Sequence, residues 1–167
     1  LPEVDFIIDG GKTTVGIEST IIQLTRRGFQ VLRHGVITQE EIEALIPLDR
    51  TSRAGTVQAP GMMKAHYSPV KKMLIADKNA HLGIDKSKAG LISFSGELEA
   101  GYAKVIRVSQ KLDLMEYAVR LFDAMHSFED DQEIEIIVAE PVQESGIGRA
   151  IMDRLRKAAF PWQRGNG

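Results

Sequence analysis

Cysteine is missing from this chain of 167 residues. Its absence excludes disulfide bonds, zinc sites with thiolate ligands and cysteine nucleophiles. It also fits a reducing compartment such as the cytoplasm, where we expect the protein to be. An excess of basic residues is missing too, since the formal net charge is −2. This charge balance disfavours direct binding to tRNA and gives no electrostatic reason to bind a membrane.

Aromatic side chains and long apolar runs are also scarce. Aromatic residues make up 6% of the chain, which disfavours RNA binding by base stacking, and no apolar run is long enough to span a bilayer. The histidines are scattered, without the paired spacing of metal ligands, so we predict no metal site. They are His34, His66, His81 and His126.

Residues 1–47 carry an incomplete set of elements. Apolar runs predict three strands, the last two joined by a hairpin turn, at 5–8, 18–24 and 29–33. Thr38 and Glu41 match a capping box that opens a helix ending before Pro47. These elements have too little apolar surface to fold alone. Because the chain also begins with Leu1 rather than methionine, we expect the segment to be the closing portion of a larger α/β domain.

Residues 71–167 have the pattern of a complete unit. Apolar runs predict strands at 73–76, 91–94, 105–108 and 134–139. Apolar residues at helical spacing predict helices at 109–125 and 147–160, and a weaker pattern predicts one at 79–83. Strands that alternate with helices indicate a small Rossmann-like α/β fold, with a mainly parallel sheet in three layers.

Residues 48–70 join the two parts and show no periodicity. Within this linker, Ala59–Pro69 reads A-P-G-M-M-K-A-H-Y-S-P. Its prolines fix φ and its glycine frees it, so the backbone is shaped without the hydrogen bonds of a helix or strand. The side chains of His66 and Tyr67 are able to contact a ligand. We therefore predict a linker that is itself part of a site.

Two polar side chains lie at predicted strand ends. Ser19 stands in the run G-I-E-S-T, where a hydroxyl and backbone N–H groups can reach a carboxylate or a phosphate. Arg33 ends an apolar strand, and its guanidinium can form two parallel hydrogen bonds to a phosphate. Spacing alone leaves open that the serine has no ligand and that the arginine is simply solvated.

The run E-S-G-I-G-R at 144–149 precedes the last predicted helix. Its backbone N–H groups could hold an anion, but a close approach of helix and strand explains the glycines equally well. The helix itself is locally basic, and a solvated face is the favoured explanation. The basic residues are Arg149, Arg154, Arg156 and Lys157.

Four blocks taken together give a specific resemblance. They are D-F-I-I-D-G-G-K with V-G-I-E-S-T-I-I, then V-L-R-H-G-V-I-T, A-P-G-M-M-K-A-H-Y-S-P and G-I-G-R-A-I-M-D-R-L-R-K-A-A. In order and separation the chain resembles the C-terminal portion of the two-domain L-threonylcarbamoyl-AMP synthases. The resemblance implies that residues 1–47 close a YrdC-like catalytic domain. Residues 48–70 would be an active-site linker and residues 71–167 a Rossmann-like accessory domain.

The resemblance also implies an activity. The family are nucleotidyltransferases that combine ATP, L-threonine and bicarbonate into threonylcarbamoyl-AMP and release pyrophosphate, with Mg²⁺ expected to stabilise the charge on the phosphates. Other proteins then pass the threonylcarbamoyl group to tRNA. The family's Lys-x-Arg and Ser-x-Asn signature is absent, so catalytic residues stay unknown and we expect the chain to be inactive alone. Leu32–Gly35 reads L-R-H-G where the family more often has L-R-P-G.

Residue by residue, the resemblance implies that Ser19 contacts threonine, that Arg33 contacts ATP and that Tyr67 reaches over the nucleotide. The residues that would shape the linker are Pro60, Gly61, Met62 and His66. An alternative is that residues 71–167 form a non-catalytic regulatory or docking module for a small ligand or a tRNA-modification partner. Under either interpretation, we expect the exposed strand edges of residues 1–47 to pair with another copy or to be ordered through contacts with the linker.

Overall fold

The computed structural model describes residues 6, 8–11, 15–51, 68–76 and 83–163, with side chains as far as residue 160. Near the start of the chain, Phe6 and Ile8 lie in no strand, and their side chains are 89% and 94% exposed. The strand predicted at 5–8 is therefore not formed at these two residues. The linker residues 52–67 and most of the weak helix predicted at 79–83 lie outside the described residues.

The first element is an antiparallel hairpin of β1 (Ile21–Thr25) and β2 (Gly28–Arg33). The predicted turn is confirmed, and glycine is needed at Gly28 because its φ is +142° and a Cβ would overlap the carbonyl oxygen of Pro47. Beyond that proline the chain runs beside β2, since Phe29 donates to its oxygen at 3.0 Å and accepts from the amide of Asp49 at 2.8 Å. Phe29 is fully buried by this arrangement.

A short helix, α1 (Gln39–Glu43), follows the hairpin. The predicted capping box is confirmed: Oγ1 of Thr38 accepts from the amide of Glu41 at 3.3 Å, and the glutamate accepts from the threonine amide at 2.7 Å. The helix ends three residues earlier than the predicted limit at Ile46. A helical hydrogen bond nevertheless reaches the predicted limit, since the amide of Ile46 donates to the backbone oxygen of Ile42 at 3.0 Å before the chain turns to run beside Phe29.

The C-terminal part contains a parallel sheet. Its strands are β3 (Lys72–Ile75), β4 (Ala89–Ser93), β5 (Lys104–Arg107) and β6 (Ile136–Ala139). The order across the sheet is β3-β6-β4-β5, and every neighbouring pair is parallel. The predicted α/β class with a parallel sheet is confirmed, and the last strand lies between the first two.

Two long helices, α2 (Leu114–Glu129) and α3 (Gly148–Gln163), cover one face of this sheet. The opposite face is covered by side chains from the segments around a 3-10 turn at Lys86–Lys88, including Ile84, Leu98 and Tyr102. The helix predicted from residue 109 begins at Leu114 because Asp113 accepts hydrogen bonds from the first amides of α2. None of the described helices is long and apolar enough to cross a membrane.

The N-terminal segment packs directly on the two long helices. Ile17, only 7% exposed, belongs to the main core cluster together with residues of α2 and α3. Gly16 has φ +67°, and a Cβ there would overlap the backbone of Val119 in α2. The segment therefore shares a core with the C-terminal part, and this contact fixes where its polar residues lie.

Candidate functional site

The structure brings the two predicted site residues Ser19 and Arg33 into contact. Arg33 is the last residue of β2, and its Nε donates to the backbone oxygen of Ser19 at 3.0 Å. Its Nη2 donates to Oγ of the same serine at 3.1 Å. The serine is exposed and the arginine is half-buried. A hydroxyl and a guanidinium in one place are donors suited to a carboxylate or a phosphate.

Gly35 explains why these two residues meet. After β2 the chain folds back over residues 18–20, where Gly35 is buried against the backbone. A Cβ at this position would overlap the carbonyl oxygen of Glu18 and the amide nitrogen of Thr20. The Thr20 hydroxyl closes the same crossing by donating to the backbone oxygen of Ile37 at 2.5 Å. Because residues 18–20 make this crossing, β1 begins at residue 21 and not at residue 18 as predicted.

The neighbours of the pair are held by α3. Arg154 is 1% exposed, and its Nε and Nη2 each lie 2.7 Å from Oε2 of Glu18. Its Nη2 also donates to the backbone oxygen of His34 at 3.3 Å. Burial lowers the pKa of the His34 imidazole; the charges of Arg149 and Arg154 act in the same direction, whereas that of Asp153 opposes it.

The loop before α3, which could have held an anion, donates a backbone N–H to a carboxylate of the chain itself. Oε1 of Glu40 accepts from the amide of Gly146 at 3.3 Å and from Nη1 of Arg149. Hydrogen bonds, first from its own backbone amide and then from these two donors, lower the pKa of the Glu40 carboxyl. The close packing expected at these glycines is present at Gly148, where a Cβ would overlap the carbonyl oxygen of Gln143. Gln143 lies in a loop, however, and not in a strand.

The basic residues of α3 are engaged in ion pairs. Nζ of Lys157 lies 2.7 Å from a carboxylate oxygen of Asp153, and Nη1 of Arg156 lies 2.8 Å from one of Glu144. The predicted solvated face is wrong for Arg154, which is buried. The positive charge of this helix is therefore used within the chain.

The predicted linker residues lie outside the described part of the chain: Pro60, Gly61, Met62, His66 and Tyr67. The end of the linker is described and is attached to both long helices. Oγ of Ser68 donates to the backbone oxygen of Lys157 at 3.1 Å, and Nζ of Lys71 donates to that of Phe128 at 2.8 Å. Beside this attachment is a cavity of about 310 Å³. Its lining residues are Ser68, Pro69, Phe122, Met125, His126 and Glu129.

A family profile, described as "Threonylcarbamoyl-AMP synthase, C-terminal domain", matches residues 37–160. The chain belongs to this family. The threonylcarbamoyl-AMP synthase of Pyrococcus abyssi (strain GE5 / Orsay) is 33% identical to it over 175 residues. That match covers 94% of this chain and 50% of the relative.

Solved structures of this synthase family have the same fold. The crystal structure of P. abyssi Sua5 complexed with L-threonine has a TM-score of 0.74 and 32% identity, and covers 95% of this chain and 50% of that one. A P. abyssi Sua5 variant, with a neighbouring histidine and tyrosine both changed to alanine, gives a TM-score of 0.70 and 30% identity. Its match covers 91% of this chain and 47% of that one. The chain thus spans about half the length of the relatives it matches.

Three residues of this family member were not predicted from sequence to act together. Glu18 and His34 are separated from Arg154 by 136 and 120 residues, so no local spacing relates them. The sequence does offer one signal, which is the carboxylate of Glu18 at the start of a predicted apolar strand. A carboxylate that becomes half-buried there needs a charged or hydrogen-bonding partner. Among the described residues, no three His, Asp or Glu side chains come close enough to hold a metal ion.

Proposed function

We propose that this chain is the C-terminal half of an L-threonylcarbamoyladenylate synthase. The full-length parent would form threonylcarbamoyl-AMP and pyrophosphate from ATP, L-threonine and bicarbonate. The observation that carries the proposal is the contact of Ser19 with Arg33, at the edge of a domain whose family is shown. A relative with the same fold is described in complex with L-threonine, which supports threonine as a ligand.

The two side chains suit different parts of this reaction. The Ser19 hydroxyl is exposed and of a size to bind the polar groups of a small amino acid. The Arg33 guanidinium would bind the phosphates of ATP, entering as its Mg²⁺ complex, while a carbamate oxygen attacks the α-phosphate and pyrophosphate leaves. A pair of donors in contact would hold threonine next to the nucleotide, as the transfer requires.

Tyr67 and His66 belong to the same proposal. The chain contains one His-Tyr dipeptide, at 66–67, and the relative studied as an alanine variant was changed at an adjacent histidine and tyrosine. In this chain the next residue, Ser68, is fastened to α3. We propose that Tyr67 closes over the nucleotide, with His66 and the residues at 60–62 shaping the linker.

The test is pyrophosphate release by the full-length parent. We expect release only when ATP, L-threonine and bicarbonate are all present. Ser19→Ala should raise the KM for threonine, and Arg33→Ala the KM for ATP, by about tenfold to a hundredfold each, since each loses a charge-assisted or polar contact. Arg26→Ala is the matched control, because Arg26 is exposed in the hairpin turn. Release without threonine, or full activity of both variants, contradicts the proposal.

A purely regulatory or docking role for residues 71–167 receives no specific support from the described residues. The outer surfaces of α2 and α3 are used to hold the N-terminal segment, through Ile17, Arg149 and Arg154. This arrangement suits an accessory domain of the enzyme. The product would pass to separate proteins that modify tRNA.

A further inference from the structure

One buried guanidinium, that of Arg154, connects α3 to the residue next to Ser19 and to the residue next to Arg33. Arg154 in α3 binds the carboxylate of Glu18 and the backbone oxygen of His34. Glu18 directly precedes Ser19, and His34 directly follows Arg33. The two residues that would touch threonine and ATP are therefore each one peptide bond from a group that Arg154 holds.

We propose that Arg154 is a positioning residue for the Ser19–Arg33 pair, and this inference rests on the proposed function. A guanidinium is planar and rigid, so two chain segments bonded to its diverging N–H groups are held at a fixed separation. Nη1 of Arg154 also pairs with the carboxylate of Asp153 on α3 itself, so loss of Glu18 would leave the buried charge paired only within its own helix and would release residue 18 from α3. Through this contact α3 would set the distance between serine and arginine without touching a substrate.

A second contact of α3 with the N-terminal segment would keep that segment from rotating about Arg154. Glu40, just beyond the loop that follows Arg33, binds Arg149 and the amide of Gly146. Arg149 and Arg154 thus bind the chain that follows β2 at two points, Glu40 and His34. Gly35 lies between these two points in the sequence and packs against the backbone of residues 18–20. The separation of Ser19 and Arg33 is thus set by α3 and by the crossing at Gly35.

The chain offers a matched control that separates the role of Arg154 from general stabilisation. Arg156 lies two residues away on α3 and pairs with Glu144, which lies outside the N-terminal segment, and it makes no ion pair with the described residues of that segment. Arg156→Gln therefore removes an ion pair of the same helix and leaves the substrate pair untouched. Glu18→Gln removes only the charge partner in the N-terminal segment and leaves Arg154 paired with Asp153, so it tests the contact even if Arg154→Met fails to fold. Arg154→Lys keeps the charge and loses the planar fork.

The experiment has two readouts on the same variants. Hydrogen exchange of the present chain is measured at residues 16–20 and 33–37, with the hairpin turn at 26–28 as internal reference. Pyrophosphate release by the full-length parent gives KM and kcat. We expect Glu18→Gln and Arg154→Met to speed exchange at the two sites and to raise the KM for threonine about tenfold or more, because a displacement of about 1 Å is costly. Arg154→Lys should show a smaller rise, and Arg156→Gln none.

Each other outcome overturns the inference in a recognisable way. Unchanged exchange in Glu18→Gln and Arg154→Met shows that α3 does not hold the pair. Faster exchange with an unchanged KM, while Ser19→Ala and Arg33→Ala do raise it, shows that the contact is structural only. If Ser19→Ala and Arg33→Ala leave KM unchanged, the proposed function fails and the inference fails with it. Equal KM effects of Arg156→Gln and Arg154→Met indicate a loss of stability and not of positioning.

Discussion

Gly35→Ala should separate the two residues of the candidate site more sharply than any change to their own side chains. The added Cβ would overlap the backbone oxygen of Glu18 and the amide of Thr20, and these atoms cannot rotate away as a side chain would. Overpacking of this kind costs about 1–3 kcal/mol. For a slope of about 2 kcal/mol per molar urea, the unfolding midpoint should fall by about 0.5–1.5 M.

The assay is urea unfolding of the chain, followed by L-threonine titration of the full-length parent. Gly10→Ala is the matched control, since a Cβ at Gly10 would meet nothing within 4 Å. We expect this control to unfold within about 0.5 kcal/mol of the unchanged protein. A Gly35→Ala midpoint equal to that of the control would refute the close crossing. A lowered midpoint with unchanged threonine affinity would refute the link between the crossing and the site.

Three further predictions concern single side chains. Burial lowers the pKa of His34 below 6.5, so its stabilising contribution is complete above that pH and is lost as the pH falls towards the lowered pKa. His34→Gln should flatten the dependence of the unfolding free energy on pH just below 6.5, and an unchanged slope would contradict this. Tyr117→Phe should destabilise the chain by about 1 kcal/mol in urea unfolding, because the buried hydroxyl donates to the backbone oxygen of Glu140 at 2.8 Å; no loss would show that water replaces it. Asp113→Ala should cost about 1 kcal/mol in the same assay by uncapping α2, and an effect below about 0.3 kcal/mol would contradict the cap.

Local features of the fold could be predicted from the sequence because they depend on neighbouring residues. The capping box of Thr38 and Glu41 needs only a spacing of three, and the hairpin turn needs Gly28 after two arginines. The parallel sheet follows from strands that alternate with helices. The resemblance to the synthase family added the candidate pair, which the structure brings into contact.

Features that depend on distant residues could not be predicted. The burial of Arg154 follows from a carboxylate 136 residues earlier, and a basic helix face seen alone is more simply interpreted as solvated. The N–H groups before α3 could have held an anion, but nothing local identifies that anion as the carboxylate of Glu40. The roles of Tyr67 and His66 stay predictions.

The position of β6 has a consequence for how this protein is synthesised. Because β6 lies between β3 and β4, a nascent chain that ends before residue 136 lacks the strand with which β3 pairs. Helix α3, which grips the loop after Arg33, leaves the ribosome later still. A stop codon between residue 68 and α3 would thus remove the contacts of Arg154 from a polypeptide that still contains Ser19, Arg33 and Tyr67, the residues of this chain proposed to touch substrate.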